Sequence, residues 1–531
     1  MPSSVIVASL VAPAGGPASG PPGRLKSLLR TPSVFLFVIL SAQLMVVLDT
    51  TIVNVALPHI QEGLGLSGGE LSWVINGYLL TFGGLLLLGA RSGDLLGRRR
   101  TFLAGIAIFT VSSLFGGLAV SGWMLLSARA FQGVGAALAA PSSLALLTTI
   151  FSDGPQRVRA IGLFTTVSAA GGAIGLVAGG ALTQLVSWRW VMFVNVPIGI
   201  AVLLVGRIAL QETPRRTGHF DIAGAVTSTL GMVGIVFGLV EAGTRGWSSL
   251  LTIGSLGVGA FLLGVFVRIE TRAEEPIVPL RLFASGTRTT ANVSRGLMYA
   301  GMYGMFFFVG QFLQDVMGYS PLRTGLCFLP VPAAVFLSSQ LVSKVLIRRV
   351  HPKVLMMSGI SLTVVALLMS TQLHAGASYL QIFLSLVLLG TGSGTALVPL
   401  TQAGLAGVEP ADAGAASGLV NVTQQVGAAL GLAVLVTVLS AAAGHAQLKA
   451  GAGVPPHLVH GLDVTFGIAA LFGIAALVMV GLLVHLPGVA PAGSSEAELE
   501  RELAEEAAAA AQEFELVDGE GFEWSGPELV A

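Results

Sequence analysis

Residues 48–58 read LDTTIVNVALP and lie inside an apolar run from about Val34 to Leu57. A run of that length crosses a hydrocarbon core of about 30 Å as a helix. Asp49 is its only ionisable residue, and Thr50 and Asn54 fall on the same polar arc. A carboxyl group in hydrocarbon is costly, and it persists where it faces a bundle interior with a partner. Asp49 therefore reads as a protonatable site rather than as a simple cross-link between helices.

The whole chain supports a membrane setting. Of 531 residues, 53% are hydrophobic and 10% charged, and the mean hydropathy is +0.84. A soluble domain carries about a quarter charged residues. The net charge is zero and selects no partner. One cysteine, Cys327, excludes an internal disulfide framework and a multi-thiolate metal site. The eight histidines lack ligand spacing. No GxxxxGK[ST] loop is present, so energy is expected from a proton gradient with no cofactor.

Apolar segments recur at approximately 34–57, 71–90, 101–120, 123–149, 160–183, 189–210, 221–241, 250–268, 289–314, 323–346, 353–373, 377–400, 413–440 and 461–486. With these fourteen spans, one side receives Arg98, Arg99, Arg100, Arg157, Arg159, Arg215, Arg216, Arg281, Arg288, Lys344, Arg348, Arg349 and Lys353. The other receives Arg189, Arg245, Arg323 and Lys449. Cytoplasmic loops collect lysine and arginine, so both termini are expected in the cytoplasm and the chain in the plasma (inner) membrane. Residues 1–33 read as a disordered lead-in without a signal peptide, and 487–531 as an acidic solvated tail.

Three further stretches carry mechanism. GARSGDLLGRRR, residues 89–100, places Asp94, Gly97, Arg98 and Arg99 in a tight connection on the basic side, the makings of a gate. In LLSARAFQGVGAALAAP, residues 125–141, Arg129 lies roughly 10 Å inside its span and at the depth of Asp49. A buried cation and anion at matched depth are natural partners. Gly171, Gly175 and Gly179 recur every fourth residue, a seam along which helices pack closely and slide. GTGSGTAL, residues 390–397, follows no strand and is not a nucleotide loop; the sequons at Asn292 and Asn421 fall in or near spans. The polar and aromatic residues expected at a cavity are Asn54, Trp73, Asn76, Tyr78, Gln132, Arg295, Tyr303, Gln311, Gln314 and Gln424.

Taken together, LDTTIVNVALP, the GxxGDxxGRRR-like loop, RxxQGxGAA and GGAIGLVAGG followed by SWRWVMFVNVPIG resemble successive signatures of the major facilitator superfamily, in its 14-span drug:proton antiporter branch. EEPIVPLRLF (274–283), GYSPLRTGLCFLP (318–330) and GAASGLVNVTQQVGAALGLAV (414–434) extend the resemblance. It implies an all-α polytopic fold of two six-helix bundles, 34–210 and 289–486, with two extra helices within 211–288. It also implies alternating access to a midplane cavity, with Asp49 and Arg129 in proton coupling and Asp94, Gly97, Arg98 and Arg99 as the cytoplasmic gate. LVSKVLIRRV (341–350) stands where a degraded second gate loop belongs. The branch's glycine, leucine and arginine in the first gate loop are replaced by Ala90, Ser92 and Leu95, and its fifth-span proline by Leu176. The expected activity is proton-coupled export of hydrophobic or amphiphilic drug-like molecules by a monomer in the bilayer, without nucleic acid; symport of a small nutrient is the alternative. A membrane-embedded enzyme would need clustered Asp, Glu or His at one face and a sizeable domain outside the membrane.

Overall fold

In the computed structural model fourteen helices are long and apolar enough to cross a bilayer. They are α1 Pro32–Leu64, α2 Gly68–Leu96, α3 Arg98–Gly117, α4 Gly122–Ile150, α5 Gly154–Leu185, α6 Trp190–Ala209, α7 Ile222–Arg245, α8 Leu250–Glu270, α9 Gly286–Val316, α10 Pro321–Arg348, α11 Pro352–Ser370, α12 Tyr379–Leu405, α13 Ala413–Ala443 and α14 Val459–Leu483. The structure describes residues 31–485 apart from 152–153, 214, 216–219, 274–275, 375, 410–411 and 444–455. The acidic tail, nearly all of the lead-in, Arg216 and Lys449 lie outside the described residues.

Local chemistry sets the helix starts. Ser67 and Glu70 form a reciprocal capping box at α2, Asp221 accepts from Gly224 N–H (2.7 Å) at α7, and Ser320 caps α10 ahead of Pro321. The first and second halves then repeat one packing plan. In the first, α1 packs on α5 and α6, and α4 on α2 and α3, with α3 on α6. In the second, α9 packs on α13 and α14, and α12 on α10 and α11, with α11 on α14. These are two six-helix bundles of the same design.

The repeat reaches single residues. Gly105 of α3 and Gly135 of α4 lie on each other's main chain, so that a Cβ on either would sit 2.6–2.7 Å from backbone atoms. Gly359 of α11 and Gly392 of α12 make the same interlock in the second bundle. Small residues allow this approach, and dispersion across the seam holds it where lipid supplies no hydrophobic drive.

Two seams join the bundles, α2 against α13 and α5 against α10. The extra helix α7 leans on both α2 and α13, while α8 packs on α7. The inserted pair therefore covers one seam and leaves the other bare. On the side away from the basic loops, the bare seam is shut. Gly180 of α5 lies against Pro321 of α10, Gly325 lies on the Leu176 carbonyl, and Leu322 N–H donates to Gln184 Oε1 (3.2 Å). Gln314 of α9 also donates to the Val55 carbonyl of α1 (2.9 Å). α5 runs unbroken through Leu176, so no proline kink interrupts it.

Candidate functional site

Asp49 is fully buried where five helices converge. Its Oδ2 accepts from Arg129 Nη1 at 2.5 Å, and its Oδ1 from Gln132 Nε2 (3.1 Å) and Asn195 Nδ2 (2.9 Å). Arg129 and Gln132 stand three residues apart on α4 and so share a face. Arg129 Nε donates to the Val74 carbonyl of α2 (2.9 Å), and its guanidinium lies over the Tyr78 ring at 4.6 Å. Ser113 of α3 closes the set, bonded by Gln132 (2.5 Å) and Asn195 (3.3 Å). The carboxylate thus has a cation and two amide donors, which is what a buried charge requires. Asn195, which lies in the SWRWVMFVNVPIG stretch but is not singled out by it, and Ser113, which no quoted motif contains, join the predicted pair as partners. Neutral residues on α6 and α3 become visible as partners only when the helices pair.

The glycines of α5 flank this cluster. Gly171 faces Leu44 and Val47 of α1, Gly175 faces Leu48 and Thr51, and Gly179 faces Ile52. The every-fourth-residue seam therefore runs along the stretch of α1 that carries Asp49.

On the basic side, Asp94 accepts from Arg98 Nε (3.3 Å) and Nη2 (3.1 Å), and Arg98 Nη1 reaches Thr149 Oγ1 (2.8 Å) at the end of α4. Gly97 has φ 106°, and a Cβ there would strike the Glu212 carboxylate. Glu212 accepts from Arg99 N–H (3.1 Å) and pairs with Arg100 Nε (3.5 Å). The connection between α2 and α3 is thus tied to α4 and to the segment after α6, within the first bundle. Glu212 thus joins the contacts of this loop, and its distance along the chain hides it from motif spacing.

In the second bundle, Lys344, Arg348 and Arg349 have no ion-pair partner among the described residues. The ion pair on this side of the second bundle is instead Arg281–Asp412, bidentate at 2.5 and 2.7 Å. The hydrogen bonds from Arg281 hold the Asp412 carboxyl below its usual range. A depressed carboxyl stabilises the fold above its unfolded value of about 4 and ceases to as pH falls through the folded one. Asp412→Asn is thus expected to lower the melting temperature at pH 7, with the gap to wild type closing on acidification below about pH 4. A gap independent of pH in thermal melts would refute this.

On the basic side of its closed Gly180–Pro321 contact, the bare seam holds a cavity of about 540 Å³, a size suited to drug-like molecules. Gly162, Thr165, Thr166, Ala169 and Gly172 of α5 line one wall, and Val335, Phe336, Ser339 and Gln340 of α10 the other. Thr51, Met302 and Phe306 also border it. None of the ten residues expected at a cavity is in this lining. Gln132 and Tyr78 belong to the Asp49 cluster, and Asn76 is fully buried on the same helix as Tyr78. Trp73 packs against Phe237 of α7 (6.2 Å). Gln314 bridges the bundles, while Asn54 and Gln311 donate to carbonyls of their own helices. Arg295 and Gln424 bond each other (3.0 Å), and Tyr303 lies beside Tyr299.

Two repeated bundles, two seams between them and a buried ion pair in one bundle define a multi-pass membrane transporter. The chain belongs to the Major Facilitator Superfamily, whose profile matches residues 39–432. It is similar to the puromycin resistance protein pur8 of Streptomyces alboniger, with 39% identity covering 82% of this chain and 88% of that one. The cephamycin export protein CmcT of Amycolatopsis lactamdurans is 40% identical over 75% and 83% of the two chains. The tetracenomycin C resistance and export protein of Streptomyces glaucescens is 36% identical over 81% and 78%. Among solved structures, a bacterial homologue of the lysosomal transporter Spinster in an inward-facing, occupied conformation aligns with a TM-score of 0.60. It is 18% identical and covers 85% of this chain and 96% of that one. A peptide transporter POT in complex with sulfate aligns at 0.62, with 14% identity and coverage of 88% and 99%. Both support the fold.

Proposed function

We propose that this protein is a proton-driven exporter of hydrophobic or amphiphilic organic compounds of the antibiotic type, taking cargo from the cytoplasm by alternating access. The observation that carries the reading is the pairing of a sealed Asp49–Arg129 cluster with a cavity on the basic side of the closed seam. The basic side is the cytoplasm by its excess of arginine and lysine, and both termini lie there. Asp49 and Arg129 couple protons to transport, and Asp94, Gly97, Arg98 and Arg99 form the cytoplasmic gate. A proton reaches Asp49 only when the bundle moves, because the carboxylate has no solvent exposure here. Binding the proton weakens the hold on Arg129 and favours rearrangement along the α5 glycines. The relatives named for puromycin, cephamycin and tetracenomycin C support antibiotics as cargo.

The test uses inside-out vesicles with an acid interior and follows uptake of puromycin and tetracenomycin C. Wild type is expected to accumulate at least one of them only while the gradient lasts. A Cβ added at Gly172 would meet nothing within 4 Å, so Gly172→Trp fills the cavity without a clash at its base. That variant is expected to fold normally and to lose about tenfold in uptake, the effect of roughly 1.4 kcal/mol of binding. No gradient-linked flux of any compound in folded protein would sink the exporter reading. Flux driven by the opposite gradient would favour symport.

A further inference from the structure

Arg295 is the buried arginine that the coupling cluster and the loop clamps leave unexplained. It is 9% exposed, donates from Nη1 to Thr401 Oγ1 (2.6 Å) and from Nη2 to Gln424 Oε1 (3.0 Å), and leaves a buried Nε with no partner. The Tyr299 ring lies 5.4 Å from the guanidinium carbon. Among the described residues no carboxylate pairs with it. Arg129 has Asp49, and Arg288 donates to the main-chain carbonyls of Leu282, Ala406 and Arg281. A guanidinium cannot shed its proton, so burial without an anion leaves its charge uncompensated. Two neutral side chains orient it but do not neutralise it.

Its position says what would. Arg295, Tyr299, Met302 and Phe306 are spaced by four, three and four residues, and so share one face of α9. Met302 and Phe306 line the cavity at the bare seam. Arg295 therefore stands about 10 Å along the same face, toward the basic side. We propose that Arg295, held by Thr401 and Gln424, receives the anionic group of an amphiphilic cargo whose apolar body lies against Met302 and Phe306. The assignment rests on the exporter reading and adds to it a preference for molecules with a carboxylate, sulfonate or phosphate at one end. Acids of this kind match the fork of a guanidinium in geometry as well as charge.

Two fluorescent probes with one skeleton test it: 1-anilinonaphthalene-8-sulfonate, and N-phenyl-1-naphthylamine, which lacks the sulfonate. Each is titrated into the full chain in phosphatidylcholine nanodiscs. Arg295→Gln is expected to weaken sulfonate binding about tenfold or more and to leave the neutral probe within about twofold, while Arg295→Lys, which keeps the charge without the fork, is expected to fall between Arg295→Gln and wild type. Should Arg295→Gln fail to fold, Gln424→Glu sets a carboxylate beside the guanidinium and must produce the same selective loss. Equal losses for both probes, or none, would overturn the proposal. Repeating the titration with phosphatidylglycerol separates cargo from lipid. Unchanged affinity supports cargo, whereas a loss seen in wild type and absent in Arg295→Gln gives the site to a lipid headgroup and overturns the assignment. Gradient-driven flux of the neutral probe with no sulfonate preference leaves the exporter standing and removes this inference. In inside-out vesicles, absence of gradient-linked flux for both probes and for puromycin and tetracenomycin C removes the exporter reading itself.

Discussion

Asp49→Asn is expected to abolish gradient-driven uptake, by about a hundredfold or more, while exchange of cargo without a gradient continues. Three side chains, Arg129, Gln132 and Asn195, direct N–H groups at the Asp49 carboxylate. An asparagine supplies one oxygen in place of two and opposes its own N–H groups to theirs. It also leaves the Arg129 charge buried and unpaired, a change that costs about 3–5 kcal/mol in comparable settings. The single variant is therefore expected to lose stability as well as gradient-driven uptake, so a second variant is needed to separate the two. The double variant Asp49→Asn with Arg129→Gln separates the two. Removing both charges restores balance, so the melting temperature is expected to recover much of what the single variant lost. Gradient-driven uptake is expected to stay absent, because no titratable carboxyl remains in the cluster. A positive coupling energy in stability with no recovery in transport is the signature of a proton site. Uptake that survives in the double variant would move coupling elsewhere in the chain.

Much of this arrangement is legible in the amino-acid sequence. Fourteen apolar segments separated by arginine-rich loops determine the spans, since backbone groups in lipid must be satisfied within helices. The Asp49–Arg129 pair is legible because two opposite charges in hydrocarbon have few partners to choose from. Neutral partners carry a weaker signal: Asn195 lies within the SWRWVMFVNVPIG stretch without standing out in it, and Ser113 is an ordinary polar residue until α3 is docked. Glu212 is hidden for a related reason, since a surface glutamate in a loop is common and its contact with Gly97 is long-range. The cavity lining is the least legible part. Its walls are small residues such as Thr165, Ala169 and Gly172, which are conspicuous neither by charge nor by size. They become a site because α7 covers one seam and leaves the other open, and nothing in the sequence of α5 encodes that. Trp73 shows the converse, an aromatic residue with the character of a cavity wall that instead packs on Phe237 of the inserted helix.

Closure of the bare seam on the non-basic side should depend on two glycines that face one another's bundles. Gly180 lies against Pro321, where a Cβ would come within 2.5 Å of the carbonyl oxygen, and Gly325 lies on the Leu176 carbonyl. Gly180→Leu combined with Gly325→Leu adds bulk to an interface between bundles, not to the inside of either one. Overpacking costs about 1–3 kcal/mol. Placed between rigid bodies, that cost falls on one conformation and shifts the balance of states by roughly ten- to a hundredfold. The expected result is a folded protein with a melting temperature near wild type and uptake reduced by about tenfold or more. Cross-linking between Gln184→Cys and Leu322→Cys, in a background with Cys327→Ser, should fall in parallel, because those positions meet only when the seam is shut. Gly105→Leu is the contrasting case. Its clash is with Gly135 inside the first bundle, and it is expected to cost folding itself. If the two seam substitutions destabilise as severely as Gly105→Leu, the far-side contact belongs to the core of the fold rather than to a moving interface. If they leave both uptake and cross-linking intact, the bundles do not close along α5 and α10 during transport.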